Sequence, residues 1–70
     1  MHTIKCDFVA VVLSVDCALG QTVADGDIVL MLESMKMEIP VYADRDGVVA
    51  EILVGPGVSV SEGDVLVALS

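Results

Sequence analysis

Apolar residues occur in short runs along the chain, and glycine, aspartate, proline and serine separate these runs. The clearest runs span residues 9–15, 48–54 and 65–69, and they are rich in β-branched side chains. Short β-branched runs bounded by turn-forming residues are typical of strands. Gly26 and Gly63 each precede an aspartate and fit a turn position with positive φ. The pattern therefore predicts an all-β fold with tight turns.

The two halves of the chain resemble each other at an offset of 37 residues, with residues 10–32 laid over residues 47–69. The coinciding positions include Gly20 with Gly57, Val23 with Val60, Gly26 with Gly63, and Asp27 with Asp64. Two copies are too few for a solenoid, and one half cannot bury its apolar face alone. We therefore expect residues 1–70 to form a single domain, a sandwich or barrel with pseudo-two-fold symmetry.

Composition and charge exclude several classes of function. The chain has 70 residues, and 56% of them are apolar, which excludes a disordered acidic tail. Three Lys and Arg residues against eleven Asp and Glu residues give a net charge of −8. This charge argues against binding to nucleic acids or to an anionic membrane, because both need cationic side chains. Acidic faces can instead steer partners or keep a small apolar domain soluble.

The N-terminal segment has an apolar run at residues 8–13, which is too short for a signal peptide or a membrane span. We therefore expect a cytoplasmic protein in which Cys6 and Cys17 are free thiols. His2, Cys6, Asp7 and Cys17 match no zinc spacing, so no metal site is predicted. No serine or cysteine is accompanied by the histidine and acid of a nucleophilic triad, so no catalytic residues and no enzyme activity are expected.

Residues 30–39 carry conflicting signals. Leucine, methionine, glutamate and lysine favour a helix, and Pro40 would end it. The repeat favours strands instead, and the residue before Pro40 is disfavoured in a helical conformation. We predict strands at about residues 28–34 and 37–42, joined by a tight turn at Met35-Lys36, with Pro40 at a strand edge or bulge. Lys36 lies outside the aligned repeat, so the fold does not require it.

The segment Glu33-Ser34-Met35-Lys36-Met37-Glu38 resembles the attachment motif of biotinyl domains. The glycines, valines and Gly-Asp pairs of both halves match the framework of the same family, from about residue 8 to the end of the chain. The whole sequence is similar to the stand-alone members of the biotin/lipoyl attachment family. The resemblance implies a flattened β-barrel of two four-stranded sheets with pseudo-two-fold symmetry.

The resemblance also implies a function. Lys36, on a hairpin turn, would receive biotin from biotin–protein ligase through an amide bond. Met35 and Met37 match the flanking methionines that aid recognition, and Glu33 matches an acidic position that contacts the ligase. The biotin arm would then carry a carboxyl group from biotin carboxylase to a carboxyltransferase, so the resemblance implies a biotin carboxyl carrier that catalyses nothing itself.

Two alternatives remain open. A lipoyl carrier, or one that accepts both cofactors, would use the same Lys36, although lipoyl domains more often have Asp-Lys-Ala where this chain has Met35 and Met37. A structural barrel with an unmodified lysine is the other alternative.

The chain also lacks the thumb insertion of some acetyl-CoA carboxylase carriers, because it runs continuously through residues 16–20.

Overall fold

The computed structural model describes residues 1–70 and consists of eight β-strands without a helix. The strands are β1 (His2–Lys5), β2 (Ala10–Val15), β3 (Thr22–Val23), β4 (Ile28–Ser34), β5 (Met37–Tyr42), β6 (Gly47–Ile52), β7 (Ser59–Val60) and β8 (Val65–Leu69). They form two four-stranded antiparallel sheets, ordered β1-β8-β6-β3 and β5-β4-β2-β7. The predicted all-β fold is confirmed, and no helix is long and apolar enough to cross a bilayer.

The core lies between the two sheets and consists of aliphatic side chains and Cys6. Burial alternates along β2, where Ala10 and Val12 face inward and Val11 is exposed, as expected for a strand with one covered face. The largest fully buried side chains are Leu30, Leu32, Leu66 and Leu69. No polar or charged residue is buried. The core therefore depends on tight packing of leucine and valine. Burying one of these side chains stabilises the folded state by about 1.5–3 kcal/mol.

The internal repeat of the sequence corresponds to a repeat of backbone hydrogen bonds. It extends beyond the aligned residues, because Cys6 and Ala43 also occupy equivalent positions. The equivalent bonds are Cys6 N to Asp64 O at 2.8 Å and Ala43 N to Asp27 O at 2.7 Å, Gly63 N to Cys6 O and Gly26 N to Ala43 O at 2.8 Å, and Gly57 N to Val12 O and Gly20 N to Val49 O at 2.8 Å. The predicted pseudo-two-fold symmetry is thus present in the backbone itself.

The Gly-Asp turns follow the prediction from sequence. Gly26 has φ 93° and Gly63 has φ 90°, in the left-handed region that glycine tolerates. The carboxylate that follows each glycine closes the turn: Asp27 Oδ2 accepts a hydrogen bond from Ala24 N, and Asp64 Oδ2 accepts one from Ser61 N, both at 2.9 Å. A glycine and an aspartate together therefore fix each turn.

The apolar runs did not indicate three of the four edge strands of the two sheets. Strands β1, β3 and β7 were not individually predicted, because they are only four or two residues long. Pro40 lies on β5, an edge strand, as predicted. A proline can occupy an edge because its missing N–H is not needed there. Residues 53–54 fall outside β6, shortly before the Gly55-Pro56-Gly57 break.

Candidate functional site

Met35 and Lys36 form the two-residue turn between β4 and β5, because Ser34 and Met37 are the last paired residues of these strands. The predicted hairpin, with strands 28–34 and 37–42, is confirmed. Met35 has φ 53° and Lys36 has φ 65°, and they are the only non-glycine residues with positive φ. Two consecutive positive φ values are the signature of a type I′ turn, whose twist matches that of the flanking strands.

This turn is strained, because type I′ turns normally use asparagine and glycine. An L-residue with a side chain costs roughly 1–2 kcal/mol in the left-handed region. Backbone strain of this kind is concentrated at functional sites, where surrounding structure maintains it. The strands on either side are paired without interruption from Leu30 to Ser34, and this pairing holds Lys36 at a defined apex.

The side chains of the turn project into solvent. Met35 is 88% exposed and Met37 is 58% exposed, and Lys36 is exposed between them. Neither methionine therefore fills a gap in the core, which is the usual structural role of this residue. The Lys36 ammonium group has no ion pair, since the one salt bridge of the structure joins His2 and Asp44 at 2.7 Å. Its amine is free to meet an incoming reagent.

Two acidic side chains stand just behind the turn. Glu33 and Glu38 are directly opposite each other on β4 and β5, and both are exposed. Like charges in directly opposite positions repel each other, so strand pairing does not favour this arrangement. The acidic pair creates a negative rim around the lysine, suited to a partner with basic groups around its active site.

Ser34 links the hairpin to the loop between β1 and β2. Its Oγ donates a hydrogen bond to the carbonyl oxygen of Val9 at 2.9 Å. A shallow groove runs beside this bond; its lining includes Phe8, Val9, Val11, Ser34 and Met35. Sequence analysis named Ser34 only as part of the attachment motif and missed Val9. The repeat could have identified Val9, because it aligns with the charged Asp46.

The other titratable residues are remote from the turn or isolated. His2 Nε2 lies 2.7 Å from Asp44 Oδ1, where it ties β1 to the loop before β6. Burial, and secondly the negative charge of Asp16, raise the pKa of the Cys17 thiol. Cys6 and Cys17 are free thiols. No three His, Cys, Asp or Glu residues come close enough together to hold a metal ion.

Residues 6–69 match the family described as "Biotin-requiring enzyme", the Biotin_lipoyl family. The chain belongs to the biotin/lipoyl attachment family. Members of this family are carrier domains. The exposed lysine between two methionines lies within the matched range, on the hairpin described above.

Relatives of this family fall into two groups by length. The biotinylated protein TB7.3 homolog of Mycobacterium leprae is 39% identical over 67 residues, covering 96% of this chain and 94% of that protein. The biotin/lipoyl attachment protein of Bacillus subtilis is 53% identical over 51 residues, 73% of this chain and 70% of that protein. The biotin-dependent acyl-coenzyme A carboxylase alpha3 subunit of M. leprae is 47% identical over 55 residues, 79% of this chain, which spans 9% of that subunit.

Solved structures with this fold include a carboxylase and a lipoyl domain. The urea carboxylase of Kluyveromyces lactis has a TM-score of 0.92 at 29% identity over 99% of this chain, which covers 6% of that protein. The lipoyl domain of the 2-oxoglutarate dehydrogenase complex of Azotobacter vinelandii has a TM-score of 0.84 at 28% identity, covering 100% of this chain and 96% of that domain. The expected barrel of two four-stranded sheets is thereby confirmed.

Proposed function

We propose that this protein is a biotin carboxyl carrier and that Lys36 is its attachment site. The observation that supports this most strongly is the exposed, unpaired Lys36 at the apex of a strained type I′ turn, between two exposed methionines. The fold would be satisfied by an asparagine-glycine turn there. The barrel does not require a lysine in that conformation, so we infer that Lys36 serves a function other than folding.

The proposed chemistry needs only one nucleophile from this chain. Lys36 Nζ loses one proton to the modifying enzyme, attacks the activated carbonyl carbon of a biotinyl-adenylate, and loses a second proton to the enzyme as the amide forms. An amide bond forms between Nζ and that carbon, and AMP leaves with the electron pair of the broken acyl–phosphate bond. The rigid hairpin contributes by presenting the amine in one orientation, which lowers the entropic cost of the encounter.

When attached, biotin supplies a ureido nitrogen that accepts and releases a carboxyl group. The residues present fit such a group, because nothing closes over Lys36 and no side chain competes for its amine. The four-carbon stem of Lys36 acts as a tether, which raises the effective concentration of whatever it carries at two successive enzyme sites. The protein would thus be a substrate shared between enzymes rather than a catalyst.

Biotin is favoured over lipoate by the residues that flank the lysine. Met35 and Met37 are exposed, so packing does not explain them, and they match the biotinyl pattern. The M. leprae relative that covers almost the whole chain is named a biotinylated protein, and the B. subtilis relative is named for both cofactors. We propose biotin–protein ligase, biotin carboxylase and a carboxyltransferase as partners. We further propose that the protein acts in the cytoplasm and that residues 1–70 form one domain.

Lipoate on the same Lys36 is the second candidate, because a lipoyl domain shares the fold.

Co-expression with a biotin–protein ligase tests this proposal. The intact mass of the wild-type chain should rise by one biotin amide, and Lys36→Arg should abolish the increase. Lys5→Arg is the matched control and should be modified like wild type, because Lys5 is the other lysine of the chain. Biotin that persists in Lys36→Arg would reject the site. Preferential loading by a lipoate ligase, with both enzymes and both cofactors supplied, would favour the second candidate.

A further inference from the structure

The pseudo-two-fold symmetry provides an internal reference for the loop beside the lysine hairpin. This loop, residues 6–10, corresponds to residues 43–47 in the other half. Both loops make the same backbone hydrogen bonds to the neighbouring Gly-Asp turn, at 2.7–2.8 Å. Because the two loops begin with the same backbone hydrogen bonds, this shared anchoring does not by itself require different side chains at the equivalent positions that follow.

Two equivalent pairs differ in polarity, Phe8 with Arg45 and Val9 with Asp46, and in the second pair the polar residue makes a hydrogen bond. Asp46 Oδ1 accepts a hydrogen bond from Asp25 N at 2.8 Å, so an aspartate is well accommodated there. The equivalent residue in the other loop is Val9, which has no acceptor to offer and is 72% exposed. Exposing valine to water gives up burial free energy, and omitting the aspartate gives up a hydrogen bond. Folding stability therefore does not account for Val9.

The apolar version of the loop lies at the end of the molecule that carries Lys36. The carbonyl of Val9 accepts the hydrogen bond from Ser34 Oγ at 2.9 Å, so the loop and the hairpin form one continuous surface. Met35, which is 88% exposed, borders the same groove. The polar loop, residues 43–47, follows the end of β5 that is remote from the lysine turn, and its Gly47 lies against Ser70. Apolar surface is thus added where an enzyme would approach Lys36.

We propose that Val9 and Met35 together form the docking surface for the enzyme that acylates Lys36, an inference that rests on the proposed function. Such an enzyme must bring its acyl carbon to within about 3–3.5 Å of Nζ. A specific interface covers about 800 Å² on each partner, which is far more than a two-residue turn provides. The footprint therefore extends along the surface that Ser34 joins to the hairpin. The partner presents an apolar seat for Val9 and Met35 and basic groups toward the Glu33–Glu38 rim.

The test exchanges residues between the two loops. Val9→Asp copies the residue of the polar loop, and Asp46→Val makes the reverse change at the far end of the molecule. Val9→Ser removes the apolar surface without adding charge. Each purified apo variant is titrated as substrate of a biotin–protein ligase with ATP and biotin, and loading is followed by intact mass. Thermal unfolding is measured in parallel, and Val9→Asp should unfold at the wild-type temperature or above it, because Asp46 shows that aspartate suits this position.

In the ligase reaction, Val9→Asp should lower kcat/KM by about tenfold or more and Val9→Ser by about threefold, chiefly through KM. Asp46→Val should remain within about twofold of wild type. Wild-type rates for both Val9 variants, or an equal loss in Asp46→Val, would overturn the inference. Normal loading of Val9→Asp with defective carboxylation of its biotinylated form would also overturn it, since the surface would then serve the carboxylase. Failure of the proposed function would be distinct, because even the wild-type chain would acquire no biotin.

Discussion

The Gly-Asp turns and the lysine turn both require residues with positive φ, but they use different residue types there. At Gly26 and Gly63 the chain takes φ near 90° with glycine, and the aspartate that directly follows each glycine closes the turn. At the hairpin apex Met35 and Lys36 take φ 53° and 65° without glycine. The first arrangement is what backbone energetics favours, and the second departs from it.

The two kinds of turn also differ in their place in the repeat. Each Gly-Asp turn has a symmetry-related copy with the same hydrogen bonds, so the barrel determines it. The lysine turn lies outside the aligned halves, so the barrel does not prescribe its residues. Local preference and fold agree at the Gly-Asp turns and disagree at the lysine turn, which is where function is expected.

Substitution of a turn glycine should give the largest effect. Gly63 has φ 90° and open space around the position of a Cβ atom, so Gly63→Ala introduces backbone strain without a clash. We expect the free energy of unfolding to fall by about 1–2 kcal/mol in urea titrations. Gly55→Ala is the control, since Gly55 has equally open space and no positive φ, and it should be neutral or slightly stabilising. Equal losses in both variants would show that positive φ is not the cause.

Replacing the lysine turn with the sequence that a type I′ turn favours should act in the opposite direction. The double variant Met35→Asn, Lys36→Gly should raise the free energy of unfolding by about 1 kcal/mol, because it relieves two strained residues. The same variant should accept no biotin. Chemical denaturation and intact mass measure the two effects. A double variant less stable than wild type would contradict the claim that the turn is strained.

Shortening the two flanking methionines should separate function from stability. Met35 and Met37 are mostly exposed, so Met35→Ala with Met37→Ala should change the free energy of unfolding by less than about 0.5 kcal/mol. The rate of biotin loading by the ligase should nevertheless fall. Unchanged loading would mean that the methionines play no part in recognition, and a large loss of stability would mean that they pack against the barrel.

The smallest effect concerns Cys17, far from the lysine. Burial and Asp16 raise the pKa of this thiol above its ordinary value of 9.0, so the unfolded chain ionises first as pH increases. Its contribution to stability is complete below that ordinary value and is lost as pH rises through the folded pKa. The free energy of unfolding should therefore decline more steeply above pH 9 in wild type than in Cys17→Ser. Parallel pH profiles for the two proteins would contradict this assignment.

Much of the fold could be predicted from the sequence, because its strands and turns carry strong local signals. The repeated glycines with their aspartates identified the turns, and the repeat overruled the helical preference of residues 30–39. The hairpin strands then matched the structure residue for residue. Short strands such as Thr22–Val23 and Ser59–Val60 carry too few residues to be distinguished from turns, and they depend on pairing with distant segments.

The site was predicted less completely than the fold. Lys36 and its methionines stood out because they fit neither the repeat nor the strand pattern. The hydrogen bond between Ser34 and Val9 joins residues that are 25 positions apart in the sequence. A local sequence pattern cannot predict such a contact. The strain at Met35 and Lys36 was also hidden, since neither residue type normally signals positive φ. The first feature depends on the β1–β2 loop lying against β4, and the second depends on the pairing of β4 with β5.

The most direct test is mass spectrometry of this protein isolated from its own cells. Peptides that contain Lys36 should carry a single biotin amide on Nζ, and peptides that contain Lys5 should be unmodified. The fragment ions should place the added mass on Lys36 itself. A peptide with Lys36 unmodified in cells that biotinylate other proteins, or one carrying lipoate alone, would contradict the account.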